Sequence, residues 1–407
     1  MIGISKLYCG TVEPGDVLRY GADSQRLPSH LLQFSADKKP VVVWNGTRRC
    51  NLRCVHCYSR SENKAYPGEL TTAEAAAMLD DLARFGVPVV LFSGGEPLIR
   101  PDLLALMERT VSLGMRAVLS TNGTLISEAT AGRLKGVGLS YVGVSLDGLR
   151  EVHDRFRGVP GAFDRAIAGI RNGMRAGIKV GLRFTITRRN AAEIDGIFDL
   201  LREENIPRVC FYHLVYAGRG SALMQEDLDH EATRRGVDRI IDRTAALHAE
   251  GRRVEVLTVD NHADGPHLYL RMVREKSPRA GDVARLLGMN RGNSSGNGIG
   301  CISWDGAVHP DPFWRHVTLG NVRERPFSEI WTDLTHPLLA KLKDKRPHVK
   351  GRCATCRFLD VCGGNFRVRA EAATGDLWAP DPACYLTDEE IAVAADVPGA
   401  VRGPPHA

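Results

Sequence analysis

Seven of the ten cysteines in this 407-residue chain fall into two sets whose spacing suits metal. The first is Cys50, Cys54 and Cys57, a CxxxCxxC run within Arg49-Cys50-Asn51-Leu52-Arg53-Cys54-Val55-His56-Cys57-Tyr58. Three thiolates on one short loop can bind three corners of a four-iron cube and leave the fourth iron open for chemistry. The same thiols could instead close a zinc site with His56 or a distant residue, although structural zinc usually takes four ligands in two paired hooks. The second set is Cys353-x2-Cys356-x5-Cys362, with Cys384 further on. Four thiolates coordinate a cube completely, and they suit a zinc ribbon equally well. Cys9 and Cys210 have no partner at metal spacing and read as small buried residues, while Cys301 stays open between ligand and core.

Ligands so placed need strand ends and loops to present them. Strand-like runs are predicted at Val41–Asn45, Pro88–Ser93, Ala117–Thr121, Tyr141–Leu146, Val180–Thr187 and Val209–Val215. Helix-like segments alternate with them, among them Thr72–Phe85, with Ala76, Leu79 and Leu82 at helical spacing after a Thr-Thr start, then Pro101–Leu113 and Phe163–Ala176. Six βα units in series imply a parallel sheet covered by helices, an α/β fold whose leading geometry is a partial (β/α)6 barrel. The rhythm weakens after Val215, where a polar helical stretch, Glu226–Gly251, precedes an isolated apolar run, Val254–Val259. A Gly-, Asn- and Ser-rich loop, Gly292–Gly300, then marks a boundary. The expected organisation is an N-terminal extension over 1–40, the barrel over 41–220, its helix-and-strand extension over 221–291, and a small cysteine-rich module over 292–407.

Composition narrows the partners. Lys and Arg exceed Asp and Glu by 54 to 48, a net charge of +6 that is too small to imply nucleic acid. Hydrophobic residues at 43% and charged residues at 25% exclude a disordered or fibrous chain. No run approaches the roughly 18 apolar residues of a membrane span, and Met1–Gly10 lacks a secretory signal pattern. A cytoplasmic location is expected, where thiols stay reduced and clustered cysteines hold metal rather than disulfides.

The CxxxCxxC loop follows the first strand, and the second strand runs into Ser93-Gly94-Gly95-Glu96-Pro97, so two strand ends point to one barrel mouth. Together these motifs resemble the radical S-adenosylmethionine (SAM) superfamily. The resemblance implies a [4Fe-4S] cluster on Cys50, Cys54 and Cys57, and a methionyl amino group held by Gly94, Gly95, Glu96 and Pro97. It carries SAM contacts over to Asn122 in Ser120-Thr121-Asn122-Gly123, and to Ser145 and Asp147 in Ser145-Leu146-Asp147-Gly148. It also implies Arg157 on the SAM carboxylate and His56 lining the adenine pocket.

The second cysteine set resembles the auxiliary-cluster module called SPASM, with informative departures. Cys301 stands where a first ligand would, but Asp311 and Phe366 occupy two further ligand positions of the fuller pattern. The set that remains complete, Cys353, Cys356, Cys362 and Cys384, implies one auxiliary [4Fe-4S] cluster, hence two clusters in all. Cys362-Gly363-Gly364-Asn365-Phe366-Arg367-Val368-Arg369-Ala370 and Asp381-Pro382-Ala383-Cys384-Tyr385 narrow the resemblance to the AhbC/NirJ family of haem-biosynthesis radical SAM enzymes. The opening Met1–Leu7 and the segment Leu27–Phe34 tilt it to the AhbC side.

That resemblance implies removal of two acetate side chains from didecarboxysiroheme, leaving methyl groups and iron-coproporphyrin III, through a 5'-deoxyadenosyl radical. A low-potential donor such as flavodoxin or ferredoxin would supply electrons. A carboxylate-rich macrocycle calls for arginine, for which Arg183 on the fifth strand is the candidate. His213 and His309 are candidates to ligate the substrate iron. The alternatives are a NirJ-type reaction on propionates, peptide modification by a SPASM maturase, and a non-enzymatic electron carrier; the open three-cysteine site speaks against the last.

Overall fold

The computed structural model describes residues 1–12 and 39–392. The segment 27–34, part of the subfamily resemblance, lies outside the described residues. The chain divides into two compact units.

The larger unit holds residues 39–227 and Ser295–Asp344. Its strands are β1 (Val41–Thr47), β2 (Val89–Gly94), β3 (Arg116–Thr121), β4 (Tyr141–Ser145), β5 (Val180–Ile186), β6 (Arg208–His213), β7 (Ile299–Ile302), β8 (Ala307–His309) and β9 (Gly320–Asn321). Within this unit they run in the order β6-β5-β4-β3-β2-β1-β7-β8-β9. The first six are parallel, with Val42 opposite Val90, Val90 opposite Ala117, Val118 opposite Tyr141, Val142 opposite Val180, and Leu182 opposite Val209. Their Val- and Phe-rich runs are buried because crossover helices cover the sheet. These helices are α1 (Thr72–Phe85), α2 (Leu103–Ser112), α3 (Glu128–Gly136), α4 (Arg150–Arg157), α5 (Ala162–Arg175) and α6 (Ile194–Glu203). α1 begins with a capping box, Thr71 accepting from the Glu74 amide while Glu74 accepts from the Thr71 amide. This is the partial α/β barrel expected of the strand rhythm.

A boundary falls close to 292, between Ser294 and Ser295, but the segments on its two sides group otherwise than expected, 228–294 with the late cysteines and 295–344 with the barrel. Ile299–Ile302 is apolar and lies parallel beside Val41–Trp44, Cys301 opposite Val43, so β7 extends the barrel sheet past its first strand. The β8 and β9 ladders then continue it antiparallel. Residues up to Asp344 thus belong with the barrel, and the four late cysteines do not share their unit.

The smaller unit joins residues 1–12, Leu228–Ser294 and 345–392. The polar stretch after Val215 forms a helix, His230–Ala249, and the isolated apolar run becomes a strand, Glu255–Val259, paired antiparallel with Ile2–Gly3. Two helices that the sequence pattern did not suggest, Asp264–Arg274 and Ala280–Asn290, complete its frame. Among the described residues no helix is long and apolar enough to cross a membrane.

Candidate active site

The loop after β1 gathers Cys50, Cys54 and Cys57 into one small core with Leu52, Val159 and Ala162. Backbone hydrogen bonds fix its course: Arg53 N–H donates to Arg157 O at 3.0 Å, Val55 N–H to Phe156 O at 2.9 Å, and Cys50 N–H to Glu62 O at 3.1 Å. Gly94 and Gly95 let the next strand end approach. A side chain at Gly95 would bring Cβ within 2.2 Å of Arg49 O, and Gly94 sits at φ +130° with the space for Cβ filled by Thr47 O. Gly95 N–H then donates to Thr47 O and Glu96 N–H to Arg49 O, each at 2.8 Å. The Gly-Gly-Glu segment therefore straps the start of the cysteine loop to β2.

Each sulfur lies among donors. Arg157 donates to Cys54 Sγ at 3.4 Å, Leu52 N–H to Cys50 Sγ at 3.4 Å, and Ser61 N–H to Cys57 Sγ at 3.4 Å, while Ser59 Oγ lies 3.3 Å from Cys57 Sγ. Burial, then the neighbouring Cys54, pushes the Cys50 thiol up to about 12. Burial also raises Cys54 against the pull of Arg157. At Cys57 burial is outweighed by the bonds from Ser59 and Ser61 and by Arg219, and the thiol is lowered. Thiols close enough to repel each other's charge, supplied with N–H and guanidinium donors, fit a thiolate-bound iron-sulfur cluster.

The remaining motif residues form a buried polar wall beside this loop. Glu96 is fully buried and accepts from Thr121 Oγ1 at 2.7 Å, Asn122 N–H at 2.8 Å and Leu98 N–H at 3.1 Å. Burial still raises its pKa against those three donors. Asn122 donates to Asn51 Oδ1 at 2.8 Å and reaches Cys50 Sγ at 4.0 Å. Asp147 is fully buried, pairs with Arg157 at 2.5 Å and accepts from Thr185 N–H at 2.8 Å. Burial works to raise the Asp147 carboxyl, but Arg157 and then His56 hold it below its usual range. His56 lies 3.6 Å from Asp147, and burial drives its pKa down to about 4, so it is a neutral ring at pH 7. Arg157 is thus committed to Asp147 and Cys54 in this structure. Ser145, at the end of β4, stands opposite Arg183 of β5.

Arg183 donates to Ser120 Oγ at 2.7 Å and lies 4.8 Å over the Tyr212 ring, without a carboxylate partner among the described residues. His213 is buried on β6 opposite Ile186. At His309, Nε2 lies 2.9 Å from Ser303 Oγ and Nδ1 2.6 Å from Val317 O, at 3% exposure. Both ring nitrogens are thus engaged in this structure, one with the β7–β8 turn and one with the segment beyond β8. Cys301 is fully buried, its sulfur accepting from Asn45 Nδ2 at 3.4 Å. Asp311 likewise serves a turn, accepting from Ser295 Oγ at 2.6 Å, Phe313 N–H at 2.8 Å and Trp314 N–H at 3.1 Å.

Sequence reasoning missed Arg219. Its Nε donates to Cys54 O at 2.7 Å, an Nη to Ser61 O at 3.0 Å, and its N–H to Cys57 O at 2.9 Å. Gly218 permits this, since a Cβ there would fall 2.2 Å from Tyr58 O. An arginine between two glycines just past the sixth strand, Gly218-Arg219-Gly220, was the available signal.

In the smaller unit, Cys353 ends a short 3-10 turn, Cys362 ends the helix Leu359–Cys362, and Cys356 and Cys384 lie in loops. Burial, then Cys384, Cys353 and Cys356, raises Cys362, so the other three thiols all lie near it. Among the described residues no three His, Cys, Asp or Glu side chains converge as ligands of a single ion. The frame is a fully buried fork: Arg369 Nε donates to Asp381 Oδ1 at 2.8 Å and an Nη to Oδ2 at 2.9 Å. Asp381 also accepts from Phe366 N–H and Ala383 N–H, and its carbonyl from Cys384 N–H. Gly292 admits the chain against Cys362 O, which a Cβ would meet at 2.0 Å.

The pattern of the radical SAM superfamily matches residues 44–201, and that of SPASM, an iron-sulfur cluster-binding domain, matches residues 296–357. The chain is 64% identical to the Fe-coproporphyrin III synthase of Methanosarcina barkeri over 394 residues, 96% of this chain and 99% of that protein. It is 47% identical to the pre-heme d1 synthase of Dinoroseobacter shibae, covering 88% of this chain and 89% of that one. Streptococcus suis SuiB, solved bound to S-adenosylmethionine, shares the fold at a TM-score of 0.68 and 20% identity, over 86% of this chain and 78% of that chain.

Proposed function

The chain belongs to the radical SAM superfamily, and from that premise we propose that it removes the two acetate side chains of didecarboxysiroheme to give iron-coproporphyrin III. The observation that carries this is the 64% identity, nearly end to end, to a protein named for that product. SAM and two [4Fe-4S] clusters are its cofactors. Cys50, Cys54 and Cys57 would hold the first cluster, which would supply the electron for reductive cleavage of SAM to methionine and a 5'-deoxyadenosyl radical, chemistry beyond any side chain. Cys353, Cys356, Cys362 and Cys384 would hold the second.

The chain's own residues do the rest. The Arg219 clamp and the Gly94-Gly95-Glu96 strap hold the loop still. Asn122, Ser145 and Asp147 offer amide, hydroxyl and carboxylate groups to SAM, with neutral His56 packed on Phe156 beside them. Arg183, free of any carboxylate within the unit's described residues, is suited to a substrate acetate or propionate. A low-potential carrier such as flavodoxin or ferredoxin would feed the clusters. A reducing cytoplasm suits their thiolate ligands.

Anaerobic incubation of reconstituted protein with SAM, reductant and didecarboxysiroheme, with mass analysis of 5'-deoxyadenosine and tetrapyrrole, tests this directly. Iron-coproporphyrin III formed with substrate-dependent 5'-deoxyadenosine is the expected result. SAM cleavage with an intact tetrapyrrole would overturn the substrate, and the resemblance to a pre-heme d1 synthase makes propionate modification the next reaction to assay.

A further inference from the structure

Two arginines of the larger unit, Arg48 and Arg315, meet at the cysteine loop without an acid between them. Arg48 Nε donates to Ser59 O at 3.2 Å and an Nη of Arg315 donates to the same oxygen at 3.0 Å. Both guanidiniums lie on one indole, Arg315 4.1 Å and Arg48 5.1 Å from the Trp304 ring centroid, and Arg48 also lies 4.6 Å from that of Tyr66. Ser59 is two residues beyond Cys57, so the pair borders the loop that presents the first thiol set.

Like charges at such proximity call for an anion, and the nearby carboxylates are otherwise engaged. Glu69 Oε1 accepts from Thr47 Oγ1 at 2.7 Å and from the Arg48 backbone N–H at 3.0 Å. Glu62 pairs with Lys64 at 3.0 Å. Asp305 Oδ1 accepts from Ala307 N–H. Among the described residues neither Arg48 nor Arg315 has a carboxylate partner, and Arg315 Nε is buried with no hydrogen-bond partner at all. Both side chains are half-buried, and burial followed by the charge of Arg48 draws the Arg315 pKa down, outweighing the opposing pull of Tyr58, Cys301 and Asp305. A guanidinium offers five N–H donors, and one carbonyl uses a single donor of each. Two planar forks beside one indole ring, with spare donors, match the oxygen pair of a carboxylate.

We propose that Arg48 and Arg315 together form a carboxylate-binding site that seats a propionate of the tetrapyrrole substrate. This rests on the reading that the substrate is a propionate-bearing iron tetrapyrrole. The other carboxylate at hand is that of SAM, and the test separates the two.

The probes are iron-coproporphyrin III and its tetramethyl ester, titrated optically into cluster-reconstituted protein, with SAM affinity measured by equilibrium dialysis. The wild type binds the acid more tightly than the ester. Arg48→Gln and Arg315→Gln each weaken the acid by about tenfold or more, as expected for loss of a charged hydrogen bond, and the double variant erases the preference over the ester. Lysine at either position recovers only part of the affinity, because it lacks the fork. SAM affinity and iron content stay at wild-type values.

Weakened SAM with an unchanged tetrapyrrole would overturn the proposal in favour of the methionyl carboxylate. Equal wild-type affinity for acid and ester, or loss of iron on glutamine substitution, would overturn it in favour of a fastening of the Ser59 loop. If the acid preference exists and the variants erase it while didecarboxysiroheme is not turned over, the arginine site stands and the proposed reaction falls.

Discussion

Cys50, Cys54 and Cys57 come from eight consecutive residues, whereas Cys353, Cys356, Cys362 and Cys384 are drawn from a stretch of 32. The short loop is gripped along its whole length by neighbours of its own unit: Arg157 on one sulfur, Arg219 on two carbonyls, and the Gly-Gly-Glu strap on its entry. The long set has fewer bonds to its sulfurs and depends on how far-separated turns are pinned, above all by Arg369 and Asp381. Thiolate ligands can thus be organised by local clamping or by a remote fork. The first arrangement ties the ligands to the buried polar wall of Glu96, Asn122, Asp147 and Arg157; the second ties them to a buried ion pair of the fold.

The sharpest break of the comparison is at a ligand itself. Cys54→Ala is expected to abolish SAM cleavage and to lower bound iron by about half, since one of two four-iron clusters is lost. Cys353→Ala should lower iron similarly yet leave SAM cleavage in place. Iron analysis with a 5'-deoxyadenosine assay checks both. Equal loss of SAM cleavage in the two variants would remove the functional distinction between the sets.

The next largest effect belongs to the remote fork. Asp381→Ala leaves Arg369 charged and fully buried, which costs about 3–5 kcal/mol. Denaturant unfolding should show that loss, with iron of the second set released first. The double change Arg369→Met with Asp381→Leu removes both charges and is expected to regain part of the stability but not the second cluster, because Asp381 also accepts from the Phe366 and Ala383 amides. Retention of all iron in Asp381→Ala would sink the idea that the fork builds the cysteine set.

On the short loop, Arg219→Ala removes two charge-assisted bonds to the Cys54 and Ser61 carbonyls, a loss of about 1.5–3 kcal/mol for a typical charged hydrogen bond. The expected outcome is a first cluster that assembles but yields iron to a chelator faster than wild type, with SAM cleavage lowered in step. An unchanged chelation rate would mean that the strap alone holds the loop.

How much of this could be read beforehand differs between the same two regions. The short loop was legible because its ligands, its strand and the Gly-Gly-Glu partner are all local in sequence, and strand periodicity placed them at one mouth. Thr72–Phe85 was readable to the residue because its cap is a local signal. The grouping of 295–344 with the barrel was not legible because strand pairing is long-range: nothing near Ile299 announces that it will lie beside Val41. The surroundings of His309 were unreadable for a related reason. Its occupancy depends on Ser303 and Val317 folding around it, and a lone histidine carries no mark of that. Arg219 escaped notice because its partners are backbone carbonyls, and these leave no complementary residue in the sequence.

The smallest expected effect tests the departure from the fuller SPASM pattern, where Asp311 stands at a ligand position. Its carboxylate caps a turn by accepting from the Phe313 and Trp314 amides and also takes the Ser295 hydroxyl. Asp311→Cys restores the missing thiol but gives up that cap, a loss of about 1 kcal/mol by analogy with helix caps. Bound iron should not rise, because Phe366 still occupies the other absent ligand position and is itself buried. A gain of iron in Asp311→Cys would show that one thiol is enough to open a third site; an unchanged count with a small drop in unfolding midpoint would show that the carboxylate has become part of the turn. In the second case Asp311 serves the Ser295–Trp314 turn as a hydrogen-bond acceptor, and a thiol at that position has no other ligands to join.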